Sequence, residues 1–145
     1  KDLTLSYKRL EEMSNTDNIT GLHNYKFFLD YLQEMTGQDK PFAFFYIDLN
    51  RFKFINDSYG HTIGDKVLLT VAERLKPLCS RSGKLFRIGG DEFVLILDGF
   101  MSVEYISAFS ENILNVFATP FVIDPYTLKV SASVGISLYP IDSVD

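Results

Sequence analysis

One stretch constrains this chain more than any other: Phe42-Ala43-Phe44-Phe45-Tyr46-Ile47, a nearly unbroken apolar run bounded by Pro41 and Asp48. It has the length of a strand and falls far short of the ~20 apolar residues of a membrane span. Side chains on a strand alternate between faces, so a run apolar at every position is covered on both sides. The chain must therefore supply cover for both faces of a sheet with this strand at its centre.

That cover is legible on either side of the run. Residues 25–35 read as a helix that turns Phe27, Phe28, Tyr31 and Leu32 inward and closes at Gly37 and Pro41. A short helical segment at 51–57 and a longer helix at 64–78 follow, the latter with Leu68, Val71, Ala72 and Leu75 at i, i+3, i+4 and i+7. Residues 84–88 and 92–97 are two strands about the tight Gly89-Gly90 turn, a hairpin pattern. A helix at 103–117 carries Ile106, Phe109, Ile113 and Phe117 on one face. Strands at 121–123 and 128–138 flank a turn at Pro125. The predicted class is α+β: a βαββαβ ferredoxin-like or palm-like sandwich, its largely antiparallel central sheet flanked by helices.

With 145 residues, 46% of them hydrophobic, the chain has the mass for one core without disulfides or structural metals. Residues 1–14 read as an N-terminal linker or signalling helix, with Leu3, Tyr7, Leu10 and Met13 near one face, and residues 15–145 as the domain proper. The chain opens on Lys1-Asp2-Leu3 and reads as a piece of a larger protein, so membrane attachment elsewhere stays open. The net charge of -5 argues against a general nucleic-acid binder. Cys79, the single cysteine, forms no disulfide framework or zinc pattern and fits a reducing, cytoplasmic setting.

The residues with chemical potential gather near the ends of these strands. Asp48 closes the buried run, and Asp91 and Glu92 sit in the hairpin turn. If the two segments are sheet neighbours, Asp48 and Asp91 meet at one edge as a hard-oxygen site suited to Mg²⁺. Gly89 and Gly90 let a phosphate approach the backbone closely. Arg51, Phe52 and Lys53 open a short helix whose first N–H groups suit an anion, with Lys53 as a point charge. Asn56 and Asp65 together have the donors and acceptors to read a guanine edge. Each residue also admits a plainer role: Asp48 as a strand-end polar group, Asp91 and Glu92 as solvated turn residues, Lys53 as a surface lysine, Asn56 in a turn, Asp65 favouring its helix N-terminus. His61, at a helix start, reads as structural.

In combination these segments resemble the GGDEF family. Asp17-Asn18-Ile19-Thr20-Gly21-Leu22-His23-Asn24 is similar to the family's opening motif. The stretch from Phe45 through Asp48 and Lys53 to Asp57 resembles its metal-and-phosphate segment, and Tyr59-Gly60-His61-Thr62-Ile63-Gly64-Asp65 its Gly-His-x-x-Gly-Asp segment. Arg87-Ile88-Gly89-Gly90-Asp91-Glu92-Phe93 carries the signature, and Ser131 to Ser137 is similar to the late strand. The resemblance implies a diguanylate cyclase that binds GTP with Mg²⁺ or Mn²⁺, one per domain, and joins two GTP into cyclic di-GMP across a homodimer. It implies metal ligation by Asp48, Asp91 and the Leu49 carbonyl. Phosphates would be held by Lys53 and the backbone of Arg51 and Phe52, and guanine by Asn56 and Asp65. Glu92 would assist the metal or the attacking hydroxyl.

The chain departs from the family pattern in four places. Tyr25 stands where an arginine is common, and Asn50 where a second aspartate is frequent. Ser80-Arg81-Ser82-Gly83 replaces the Arg-x-x-Asp product-inhibition site, so no inhibition through that site is expected. The family's final helix is absent before Asp145. Thr119-Pro120-Phe121 and Ser137-Leu138-Tyr139-Pro140 resemble GGDEF domains followed by an EAL phosphodiesterase domain. That resemblance opens a second expectation, a catalytically silent GTP-binding module that regulates a downstream EAL domain and answers to an upstream sensor.

Overall fold

In a computed structural model, residues 15–79, 83–99 and 102–140 are described. The predicted helix at 1–14 and the segment at the inhibitory-site position, 80–82, lie outside them. Helix α1 (Tyr25–Gly37) is capped by Asn24, whose side chain accepts from the Phe27 amide. Strand β1 (Phe42–Leu49) follows, then α2 (Phe52–Tyr59), α3 (His61–Leu75) and a 3₁₀ turn (Lys76–Cys79). The hairpin is β2 (Gly83–Arg87) and β3 (Glu92–Asp98). Helix α4 (Val103–Asn115), capped by Ser102, leads to a small hairpin, β4 (Phe121–Ile123) and β5 (Tyr126–Leu128), and to β6 (Ala132–Tyr139).

The main sheet has the order β2-β3-β1-β6, and every neighbouring pair is antiparallel. This is the expected βαββαβ sandwich. Along β1 the faces divide cleanly. Ala43, Phe45, Ile47 and Leu49 pack with the apolar stripes of α3 (Val67, Leu68, Val71, Ala72, Leu75) and α4 (Ile106, Phe109, Ile113). Phe42, Phe44 and Tyr46 face the other way, onto α1 through Phe28 and Met35. Each fully buried Leu, Ile or Phe of this kind stabilises the fold by about 1.5–3 kcal/mol, which places β1 at the energetic centre and makes its C-terminal end a rigid platform.

Several boundaries shift by two or three residues from the sequence expectation, and two differences have a clear cause. Helix α3 begins at His61 and not at 64, because Gly60 (φ 92°) turns the chain directly from α2 into α3. The predicted 128–138 strand is two strands. Residues 126–128 pair with β4, and the chain re-enters extended structure only at Ala132, beside β1. Among the described residues no helix is long and apolar enough to cross a membrane.

Candidate active site

Register places the acidic residues. Asp48 lies directly opposite Glu92 across the β1–β3 pair, so their side chains share a face. Just beyond, the Leu49 amide donates to the Asp91 carbonyl at 3.0 Å, tying the turn to the end of β1. Carboxylate oxygens of Asp48, Asp91 and Glu92 consequently lie within 4.8 Å of one another. Burial, followed by the charges of Asp91 and Glu92, pushes the Asp48 carboxyl above its ordinary range. The cluster is all oxygen, and its mutual repulsion is the kind a bound cation relieves, so the donor set fits a hard divalent ion. It also contains a third carboxylate, Glu92, beside the Asp48 and Asp91 pair that the strand pattern alone brings together.

Glu92 is held from two sides. The Tyr46 hydroxyl donates a hydrogen bond to Glu92 Oε2. That bond, with burial and the neighbouring carboxylates, raises the tyrosine to about 12. On the other side the Glu92 side chain lies over Gly89, where a Cβ would come within 2.3 Å of Oε1. The hairpin turn is fixed in the same way. Arg87 Nη1 donates to Asp17 Oδ1 at 2.7 Å, and Arg87 Nη2 donates to the Gly90 carbonyl at 2.9 Å. Asp17 itself accepts from the Thr20 amide and hydroxyl, each at 2.7 Å.

The segment after Asp48 is shaped by Arg51, which adopts a left-handed conformation (φ 57°) and stacks over the Phe54 ring at 4.7 Å. Such a backbone costs a non-glycine residue about 1 kcal/mol and tends to mark functional turns. Helix α2 then opens with no side-chain cap. Its first-turn N–H groups keep their donors for an anion, and Lys53 is exposed in that turn. Asn50, at the end of β1, is clamped to the neighbouring strand. Its Nδ2 donates to Ser131 Oγ at 3.0 Å, and Ser133 Oγ donates to its Oδ1 at 2.9 Å. An open cavity of about 250 Å³ beside Arg51 is also lined by Phe54, Tyr59 and Lys129, and none of the three carboxylates lines it.

Asn56 and Asp65 sit on different helices. Asn56 Oδ1 is buried without a hydrogen-bond partner and rests against Gly64, where a Cβ would stand 1.8 Å away. Asp65 follows on the exposed face of α3. The sequence reading left three contributors without a role: Asp17, Arg87 and Tyr46. All three lie inside the quoted motifs. For Tyr46 the available signal was its hydroxyl in an otherwise apolar strand, two residues before Asp48 and thus on the same face.

A family profile described as "Diguanylate cyclase, GGDEF domain" matches residues 14–145. The chain is 34% identical over 144 residues to the bifunctional diguanylate cyclase/cyclic di-GMP phosphodiesterase MucR of Pseudomonas aeruginosa, covering 97% of this chain and 21% of that protein. It is 35% identical over 141 residues to the cyclic di-GMP phosphodiesterase NbdA of the same organism, covering 94% of this chain and 18% of the relative. The chain thus spans about a fifth of the length of these curated relatives. Among solved structures, the GGDEF domain of P. aeruginosa TpbB, also called YfiN, superposes with a TM-score of 0.78 at 34% identity, covering 87% of this chain and 76% of that one. With the signature at the β2–β3 turn and the family profile running from Ser14 to the last residue, the chain belongs to the GGDEF diguanylate cyclase family.

Proposed function

We propose that this domain, residues 15–145, is a working diguanylate cyclase half-site that binds one GTP and, paired antiparallel with a second copy, joins two GTP into cyclic di-GMP. The observation that carries the reading is the convergence of Asp48, Asp91 and Glu92 within 4.8 Å beside the uncapped start of α2. Asp48 and Asp91, with the Leu49 carbonyl, would hold Mg²⁺ or Mn²⁺. When bound, such an ion neutralises charge on the reacting phosphate and lowers the pKa of the attacking hydroxyl.

The chain's own residues account for the remaining requirements. Lys53 and the amides of Arg51 and Phe52 bind and orient the phosphates. Gly89 and Gly90 leave backbone room for them. Asn56 and Asp65 select guanine through its edge. In each transfer a ribose 3′-oxygen bonds to the α-phosphorus of the facing GTP as the bond to pyrophosphate breaks. Glu92 is placed to assist as that hydroxyl loses its proton. Because one domain supplies only half of the reacting pair, a two-fold arrangement is required. Residues 1–14 then form a linker through which an upstream sensor sets that arrangement, in a cytoplasmic domain that uses no nucleic acid.

The test is nucleotide turnover in two variants. Asp91→Ala abolishes Mg²⁺-dependent conversion of GTP while the circular dichroism spectrum is kept; retained turnover removes the metal assignment. Asp65→Ala narrows the preference for GTP over ATP; an unchanged preference removes the guanine assignment.

A second reading has its own support. NbdA is described as a cyclic di-GMP phosphodiesterase and MucR as a bifunctional cyclase and phosphodiesterase, which supports the resemblance of this chain to GGDEF domains followed by an EAL phosphodiesterase domain. Here the same site would take up GTP and tune the EAL partner without turnover. Tight GTP binding with no product distinguishes it.

A further inference from the structure

We infer that Tyr46 is a positioning residue for the divalent-cation site, acting through Glu92. The inference rests on the reading of Asp48, Asp91 and Glu92 as that site and adds to it a residue outside the acidic cluster.

The geometry begins with register. Tyr46 pairs with Val94 and Asp48 with Glu92 across β1 and β3. Tyr46 and Glu92 are therefore diagonal neighbours on one face, within reach of a long side chain. On its other flank, Tyr46 stands opposite Gly135 of β6. That position offers no side chain to compete for its hydroxyl. The hydroxyl donates to Glu92 Oε2, and this face of β1 packs on α1 through Phe28, so the phenol is a buttress carried by the rigid core strand.

What it buttresses is a side chain with few other restraints. Glutamate has three rotatable side-chain bonds, and fixing a long side chain costs on the order of 1–2 kcal/mol. The carboxylate must also lie beside two other negative groups that repel it. Without a restraint, repulsion favours rotamers directed to solvent, away from Asp48 and Asp91. The Tyr46 bond and the bare Cα of Gly89 oppose that escape from two directions. Glu92 stays converged before any ion arrives. Groups that orient metal-binding carboxylates are commonly worth 10- to 100-fold in metal affinity.

Mn²⁺ binding to the metal-free protein tests this, read by electron paramagnetic resonance of free Mn²⁺ in the absence of nucleotide. Tyr46→Phe keeps the ring and removes only the donor. The expected result is an affinity at least about 10-fold weaker than that of the unsubstituted protein, with the metal-free fold retained by circular dichroism. In a Glu92→Ala background, Tyr46→Phe adds little further, because its route of action is gone. Wild-type affinity in Tyr46→Phe overturns the inference, as does an equal loss with and without Glu92. If the unsubstituted protein binds no Mn²⁺, the reading of the carboxylates fails and the positioning role fails with it. Binding by wild type with no change in the variant removes the positioning role alone.

Discussion

Asp17 and Arg87, separated by 70 positions in the chain, meet at 2.7 Å in a largely buried ion pair. The contact ties the turn before α1 to the last residue of β2, and Arg87 carries it on to the Gly90 carbonyl. Asp17→Ala leaves a mostly buried guanidinium with half its partners, which costs about 3 kcal/mol. Urea unfolding reads the loss as a lower midpoint at unchanged slope. Burial alone would raise the Asp17 carboxyl, but the Thr20 hydrogen bonds and the Arg87 charge together hold it below its usual value. Its contribution is therefore complete above the unfolded value of about 3.9 and is lost as pH falls through the lower folded value. The variant and the parent should converge in stability at acid pH.

Asp48 has the opposite sign. Burial and two neighbouring carboxylates raise its pKa, so the folded protein holds that proton more tightly than the unfolded chain does. The resulting cost is fully present above the folded pKa and is relieved as pH falls toward the unfolded value. Metal-free Asp48→Asn is expected to melt above the parent at neutral pH, with the difference closing in acid. Added Mg²⁺ should raise the melting point of the parent and leave the variant unmoved. A lower melting point for metal-free Asp48→Asn would contradict the account of the cluster.

One glycine separates folding from function. Gly64 lies inside α3, where alanine normally gains about 1 kcal/mol, yet a Cβ there displaces the Asn56 amide. Gly64→Ala should leave the unfolding free energy within about 1 kcal/mol of the parent and weaken GTP binding by about 10-fold or more. Calorimetric titration with GTP checks it; unaltered affinity would detach Asn56 from the nucleotide.

Arg74 supplies a control outside the carboxylate cluster. Its guanidinium donates to the carbonyls of Val116 and Thr119 at 2.7 Å and of Pro120 at 2.8 Å, and stacks on Phe121 at 4.0 Å. Charge-assisted bonds of this kind are worth about 1.5–3 kcal/mol. Arg74→Ala should lower stability by that order while turnover per folded molecule stays at the parental level.

The sandwich was legible because two different periods coexist in the chain. The 42–47 run and the α3 stripe Leu68, Val71, Ala72 and Leu75 state burial unambiguously, and all four stripe residues are buried in the structure. The carboxylate cluster was legible in part, since it needed only that β1 and the hairpin be neighbours. What stayed hidden depends on register and on partners. Nothing local to 126–138 reports that its first residues pair with β4 and its last with β1. Gly64 reads locally as a helix boundary, whereas its role is to admit Asn56. Tyr46 reads as core because the diagonal that aims it at Glu92 is a property of the β1–β3 register.

The most direct test is incubation of the domain at high concentration with Mg²⁺ and GTP, with nucleotides resolved by chromatography and identified by mass spectrometry. The account predicts cyclic di-GMP and pyrophosphate from the parent and neither from Asp91→Ala. GTP bound tightly by the parent but recovered intact would contradict the cyclase reading and leave the regulatory one.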